Sequence, residues 1–196
     1  MASLPAHARL DVMARPSRPA TYADIEALPP NVVGEILGGI LHVHPRPALP
    51  HAVAATGLSG ELSPPFQRGR GGPGGWIILH EPELHLIEDV VVPDLAGWRR
   101  ERAPDLTKAC STVAPDWVCE VLSESTEAVD RAKKMPIFAR DAVAHVWLVD
   151  PIVQTVEVFR LDGESYRLVG THCGDAKARI EPFDAIEIEI AALWAR

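Results

Sequence analysis

Cysteine is scarce in this sequence, and no two cysteines are spaced for metal binding or redox chemistry. Only Cys110, Cys119 and Cys173 occur among the 196 residues, and no CxxC motif is present. The disulfide scaffolds of small secreted proteins carry more cysteines, usually in an even number. We therefore expect free thiols and a reducing compartment, the cytoplasm.

Long apolar segments are missing as well. No apolar run reaches about 18 residues, so no membrane-spanning helix is expected. Residues 1–20 lack a continuous apolar stretch, and the sequence therefore predicts no secretory signal. Because these residues carry Pro, Arg, Ala and Ser without periodicity, we predict a flexible tail there. A single domain is predicted over residues 21–196.

Positive charge is in deficit. Lysine and arginine together number 19 against 27 aspartates and glutamates, which gives a net charge of −8. Proteins that hold a duplex mainly through its phosphates are usually basic, so this charge argues against strong non-specific binding of nucleic acid. It is compatible with a local basic groove, and carboxylates clustered around a cation would themselves make the count negative.

The remaining sequence has the composition of one globular domain, with 47% apolar and 23% charged residues. Alternation and turn signals predict strands within 32–43 around a Gly-Gly turn, within 76–98, after Pro115, at 145–150, and in a hairpin over 155–170. Helices are predicted at 21–28, 51–62 and 125–142, the last interrupted at Pro136. This order implies an α/β fold, a mixed β-sheet core flanked by helices with a C-terminal β-hairpin.

Glu120 lies in the strand-like segment PDWVCEVLS, residues 115–123. In an extended strand it shares a face with Val118 and Leu122, whereas Cys119 faces the opposite side. A buried carboxylate must be neutralised, paired or bound to a cation, because leaving it unpaired is costly. Glu120 is therefore a paired structural glutamate or a metal ligand, and the strand pattern is compatible with both.

Asp94 follows the apolar run VVVP, residues 90–93. Pro93 lacks a backbone donor and indicates that a strand ends or bulges there. Asp94 is then a turn residue, or one of two carboxylates that meet with Glu120 at the edge of a sheet. Paired carboxylates are hard oxygen ligands that suit Mg²⁺.

Lys134 lies on the helix that follows the Glu120 strand, four residues after Asp130. Residues four apart share a helix face, so one interpretation is a solvated ion pair between the two. In the other interpretation Lys134 points back toward Glu120. A lysine there would orient the attacking water or stabilise negative charge that develops on a phosphate.

Three stretches resemble one known family. They are PDLAGW, then APDWVCEVLSESTEAVDRAKKMPIFARDAVAHVWLVDP, then TVEVFRL. These look like the Uma-two family of endonucleases, which belongs to the PD-(D/E)XK restriction-endonuclease-like superfamily. The resemblance runs from about Tyr22 to Trp194, and its most specific block is residues 115–151.

The resemblance implies a role for each matching residue. Asp94 matches the aspartate of the PD motif, and Glu120 matches the second acidic residue; both would hold Mg²⁺, with Mn²⁺ as a substitute. The superfamily's usual lysine position is occupied by Leu122, and Lys134 on the following helix matches the displaced lysine. Glu35 matches a further acidic site residue.

Three other matters are left open by the resemblance. Lys133 is a second lysine candidate beside Lys134, and His51 matches a histidine that the family often carries, without an assigned role. A homodimer is compatible with the superfamily, although no motif shows it.

These features together predict a Mg²⁺-dependent endonuclease that hydrolyses DNA. Alanine at Asp94, Glu120 or Lys134 is expected to abolish cleavage and to leave the fold intact. The first alternative is a catalytically inactive nuclease-like module that binds nucleic acid or protein, which the net charge favours. The second is a partner protein that associates through the hairpin at 155–170.

Overall fold

The structure of the protein is a computed structural model that describes residues 18–194. The tail predicted over residues 1–20 lies almost entirely outside the described residues. Seven elements build the amino-terminal half: α1 (Tyr22–Glu26), β1 (Val32–Leu37), β2 (Ile40–Pro45), α2 (Leu49–Leu62), β3 (Trp76–His80), β4 (Leu84–Leu86) and β5 (Asp89–Val91). The other half contains β6 (Leu95–Arg99), β7 (Trp117–Val121), α3 (Glu127–Val129), α4 (Met135–Arg140), β8 (His145–Asp150), β9 (Thr155–Asp162), β10 (Ser165–Cys173), β11 (Lys177–Ala178) and β12 (Ile188–Glu189).

Short-range signals account for the first elements. The Asp24 carboxylate accepts a hydrogen bond of 2.7 Å from the Thr21 N–H, which caps α1. Between β1 and β2, Gly38 and Gly39 have φ angles of +60° and +75°. Glycine adopts these angles without steric cost, as a two-residue hairpin turn requires. The predicted Gly-Gly hairpin is confirmed.

The central sheet has six strands in the order β10-β9-β8-β7-β6-β3. Only β7 and β8 are parallel among these neighbours, so the sheet is mixed, as predicted. A second sheet of four strands, in the order β2-β1-β5-β4, contains Glu35 on β1. The chain passes from β5 in one sheet to β6 in the other through Pro93 and Asp94. This crossing brings the two acidic candidates Glu35 and Asp94 toward the same region.

Two hydrophobic clusters cover the two faces of the central sheet. Trp117, Cys119 and Val121 of β7 belong to one cluster, which also contains residues of α2. Val118 and Leu122 belong to the other, which contains Phe138 of α4. The predicted sidedness of β7 is confirmed, and Glu120, on the second face, is only 2% exposed.

The helical region after β7 is interrupted close to the predicted position. Residues Asp130–Lys134 form a π-helical turn between α3 and α4, and the Met135 N–H donates to the Asp130 carbonyl. Pro136 follows in the first turn of α4, where its missing N–H is tolerated. The interruption is therefore a change of helical type before Pro136, which sets the directions of Asp130 and Lys134.

The C-terminal region contains the predicted hairpin and a mixed ending. Asp162 pairs with Ser165, so the turn residues of the β9–β10 hairpin are Gly163 and Glu164 instead of the expected Asp162-Gly163. Gly163, with a φ of +65°, takes the first central position, where a type II′ turn needs positive φ. The last stretch forms β12 and then a 3₁₀ turn over Ile190–Leu193. Among residues 18–194, no helix is long and apolar enough to cross a membrane.

Candidate active site

A cavity of about 190 Å³ lies where the β1–β2 hairpin, the start of α2 and the adjacent ends of β6 and β7 approach each other. Its ionisable lining consists of Glu35, His44, Arg46, His51, Glu81, Asp94, Glu120, Asp130 and Lys134. All four residues predicted for the site therefore line one cavity. The α3–α4 region supplies Asp130 and Lys134 to its wall.

The Asp94 carboxylate is hydrogen-bonded by groups from two elements, β7 and α2. The Val121 N–H donates to Oδ2 at 2.6 Å, because the pairing of Leu95 with Cys119 sets Asp94 beside the end of β7. The Nε2 atom of His51, on α2, is hydrogen-bonded to the same oxygen at 3.1 Å and lies 3.0 Å from Oδ1. His51 therefore orients Asp94, a role that the sequence did not assign.

Lys134 is buried among three carboxylates. Its Nζ atom lies 3.1 Å from Glu35 Oε1, 3.3 Å from Glu120 Oε1 and 3.3 Å from Asp130 Oδ1. Lys134 is 5% exposed, whereas its neighbour Lys133 is exposed to solvent. Of the two lysine candidates, only Lys134 points toward Glu120.

Besides its ion pair with Lys134, the Glu35 carboxylate makes two further contacts. The Val92 N–H donates to Oε1 at 2.7 Å. The other oxygen, Oε2, lies 3.2 Å from Nε2 of His44 on β2. Glu35 is 1% exposed, so the predicted additional acidic residue belongs to the same buried cluster.

Burial and ion pairing set the protonation of this cluster. Burial raises the pKa of Glu120 well above its ordinary value, and the Lys134 ammonium only partly opposes that rise. Burial also raises the pKa of Asp130. Burial would raise the pKa of Glu35 too, but Lys134 and the hydrogen bonds outweigh it and the pKa is lowered. Burial disfavours the Lys134 ammonium, yet Glu120, Glu35 and Asp130 raise its pKa well above that of a free lysine.

The oxygens of the cavity fit a divalent cation. Glu35 Oε2, Glu120 Oε1 and Asp130 Oδ1 are buried, and each lies 3.2–3.3 Å from a nitrogen of His44 or Lys134 without the geometry of a hydrogen bond. Poorly hydrogen-bonded buried carboxylates are costly, and one ammonium does not balance the charge of three carboxylates and Asp94 when all of them are ionised. Mg²⁺ prefers such hard carboxylate oxygens and would neutralise the excess negative charge.

Two residues, Asp130 and His44, contact Lys134 and Glu35 respectively and were not themselves predicted as site residues. A solvated ion pair between Asp130 and Lys134 was one of two interpretations of their spacing; the pair exists, but Asp130 is 2% exposed and lines the cavity. The four-residue spacing was the available signal. His44 gave no such signal, because its position beside Glu35 depends on the pairing of β1 with β2.

The mixed sheet, its flanking helices and the buried carboxylates at one strand end place the protein in the restriction-endonuclease-like α/β class. The chain belongs to the Uma2 family, described as "Putative restriction endonuclease", whose profile matches residues 19–192. The resemblance seen in the sequence between Tyr22 and Trp194 is thereby confirmed.

One solved structure supports this assignment at the level of fold. It is the crystal structure of a protein from Anabaena variabilis described as "a putative nuclease belonging to DUF820". The TM-score is 0.68 at 21% sequence identity, and the match covers 89% of this chain and 97% of that chain. Among curated proteins, none matches the chain. Family and neighbour together support a nuclease-like function.

Proposed function

We propose that the protein is a Mg²⁺-dependent endonuclease that hydrolyses phosphodiester bonds of DNA. The observation that carries this proposal is the convergence of Asp94, Glu120 and Glu35 on one cavity around the buried Lys134. Membership of a family described as restriction endonucleases supports the reaction class.

Each residue has a role that its position supports. Asp94 and Glu120 would hold the cation, since both carboxylates line the cavity. When bound, Mg²⁺ supplies polarisation of the scissile phosphate and a bound water of lowered pKa. Lys134 orients the attacking water and stabilises negative charge on the phosphate. Glu35 holds Lys134 in place at 3.1 Å and presents a second oxygen to the cavity.

The test is cleavage of plasmid, linear duplex and single-stranded DNA, and of RNA, by the purified protein with Mg²⁺, Mn²⁺ or EDTA. Lys134→Ala is compared with Lys133→Ala, because the second lysine is adjacent in sequence but exposed. We expect cutting of DNA that needs the metal, is lost in Lys134→Ala and is retained in Lys133→Ala. Equal loss in both variants would remove the specific role of Lys134.

A second candidate function is a nuclease-like module that binds nucleic acid or protein without cutting. The net charge of −8 favours it, because a weak electrostatic hold on DNA suits a protein with another ligand. A folded wild type that cuts none of the four substrates with either metal would support this candidate. Cleavage of RNA alone would support the proposed nuclease activity and change its substrate from DNA to RNA.

A further inference from the structure

A second group of metal-ligating side chains lies outside the candidate active site. Glu83, His85 and Cys110 each offer one ligand atom, and these three atoms lie within 4.8 Å of one another. None of the three residues lines the cavity of the candidate active site. The group is therefore spatially separate from the carboxylate cluster around Lys134.

The backbone brings this group together. Leu84 on β4 forms an isolated parallel bridge with Ser111. The His85 N–H donates to the Ser111 carbonyl at 2.8 Å, and the Ser111 N–H donates to the Glu83 carbonyl at 2.9 Å. These bonds fix Cys110 beside Glu83 and His85, although 25 residues separate His85 from Cys110 in the sequence.

The side chains are also oriented. The Tyr22 hydroxyl donates to Glu83 Oε1 at 2.9 Å, and His85 Nε2 lies 2.7 Å from the same oxygen. The Tyr22 ring lies 5.1 Å from the His85 ring, centroid to centroid. An outer hydrogen bond of the kind that Tyr22 makes is what orients ligands in metal sites.

The group is accessible. The side chains of Glu83 and His85 are 26% and 29% exposed, and Cys110 is half-buried. A cavity of about 210 Å³ lies against them, lined by Glu83 and Cys110. A metal ion would have an entry path and room for a fourth ligand.

We propose that Glu83, His85 and Cys110 form a Zn²⁺ site. A sulfur, a nitrogen and a carboxylate oxygen suit Zn²⁺, whereas Mg²⁺ prefers oxygens alone. Zinc bonds of about 2.0–2.3 Å set tetrahedral ligands roughly 3.5 Å apart. The 2.7 Å contact between His85 Nε2 and Glu83 Oε1 therefore opens on binding, and small side-chain rotations arrange the three ligand atoms, which lie within 4.8 Å of one another, around the ion. On binding, the Cys110 thiol gives its proton to solvent and the thiolate coordinates the ion. The fourth position faces the cavity and takes a water molecule.

A zinc ion bound here would cross-link two segments that are distant in the sequence. Zinc would tie β4 to the loop that leads from β6 to β7, and β7 carries Glu120. This site is independent of the proposed nuclease reaction, because it shares no residue with the candidate active site.

The experiment is a titration of metal-free protein with Co²⁺, a spectroscopic substitute for Zn²⁺, followed by displacement with Zn²⁺. We expect a thiolate-to-cobalt absorption band at one equivalent, abolished by Zn²⁺ and lost in Cys110→Ser and in His85→Gln. The band is retained in Cys173→Ser, which changes an exposed cysteine on β10, and in Glu120→Gln. Tyr22→Phe weakens Co²⁺ binding about 10-fold to 100-fold.

Absence of the band in folded wild type would overturn the proposal, and so would a band that survives Cys110→Ser. Circular dichroism confirms that each variant is folded, and His85→Gln replaces Cys110→Ser should the latter fail to fold. Because the readout is absorption, a wild type without nuclease activity leaves this result unaffected.

Discussion

At the scale of single residues, the candidate active site has more negative than positive charge. Three carboxylates surround the Lys134 ammonium within 3.3 Å, and Asp94 lies in the same cavity. A cation-binding site and a purely structural ion pair respond differently to the removal of one charge. Loss of a carboxylate abolishes metal binding in the first case, whereas in the second it changes only the stability of the fold. Neutral substitutions at Glu120 and at Lys134 therefore separate the two cases.

Glu120→Gln is predicted to keep the fold and lose the metal. Burial raises the pKa of Glu120 well above its ordinary value, so its stabilising contribution is present at low pH and is lost as pH rises through the folded-state pKa. Glutamine imitates the protonated acid, so without metal the variant should gain stability relative to wild type as pH rises. Mg²⁺ at about 100 times its Kd should stabilise wild type by about 2.7 kcal/mol and leave the variant unchanged.

The measurement is denaturant unfolding with Mg²⁺ and with EDTA, at two pH values. Glu124→Gln is the matched control, because this carboxylate is exposed just after β7. Equal stabilisation by Mg²⁺ in wild type and Glu120→Gln would place the ion elsewhere.

Lys134→Met is predicted to be destabilising, in contrast to the expectation of an intact fold. Removing one partner of a buried ion pair costs roughly 3–5 kcal/mol. In wild type the pKa of Glu35 is lowered, so its contribution is present above the ordinary glutamate pKa and is lost as pH falls. Without Lys134, only the hydrogen bonds from His44 and Val92 oppose burial, so we expect the pKa of Glu35 to rise above its ordinary value and the sign to reverse. The stability difference between wild type and variant should therefore widen as pH rises.

Unfolding free energies measured at about pH 5 and about pH 8 test this reversal. Adding Glu35→Gln to Lys134→Met should recover part of the lost stability, because it removes one uncompensated carboxylate. Cleavage should stay absent in the double variant. A difference that stays constant with pH would contradict the buried charge cluster.

At the scale of elements, most strands and helices could be predicted because their signals are local. The Gly-Gly turn and the alternation along β7 depend on residues next to each other in sequence, and both predictions are confirmed. The β9–β10 turn is shifted by one residue because pairing between the strands sets its position. The direction of Lys134 depends on the π-helical turn over Asp130–Lys134, which a sequence pattern does not specify.

Two glycines of α2 allow the effect of side-chain packing to be compared with that of helix propensity. A Cβ added at Gly60 meets nothing within 4 Å, so Gly60→Ala should stabilise by about 0.5–1 kcal/mol. A Cβ added at Gly57 would lie 2.3 Å from the carbonyl oxygen of Ala192, in the C-terminal 3₁₀ turn. Because the obstacle is backbone, Gly57→Ala should instead destabilise, by about 1–3 kcal/mol.

Thermal unfolding of the two variants, side by side, measures the difference. Both substitutions have the same intrinsic effect on helix stability. Changes in unfolding temperature of opposite sign would therefore be due to the contact between residue 57 and Ala192. Stabilisation in both variants would mean that the C-terminal turn does not pack against α2 as described.

At the scale of the whole molecule, the charge of −8 limits how the proposed nuclease could hold DNA. Sequence composition predicted this limit, but it did not show where the remaining positive charge lies. In the cavity the cations are Arg46 and Lys134, and the carboxylates neutralise Lys134. Arg46 is exposed beside the end of β2, where its Nη2 donates to the Pro30 carbonyl at 3.2 Å, and its guanidinium is the candidate group for contacting a substrate phosphate.

Arg46→Gln is predicted to weaken substrate binding rather than the chemical step. Each phosphate contact adds nearly one to the slope of log affinity against log salt, so losing one contact should lower that slope by about one. We expect KM to rise severalfold with kcat nearly unchanged, measured across a range of salt concentrations. Arg167→Gln is the control, because Arg167 is 58% exposed on β10 and pairs with Asp162, away from the cavity. If both variants lower the salt slope equally, the DNA binds through the general surface charge and not at the cavity. If only Arg46→Gln lowers it, the substrate phosphate lies at the mouth of the carboxylate cluster.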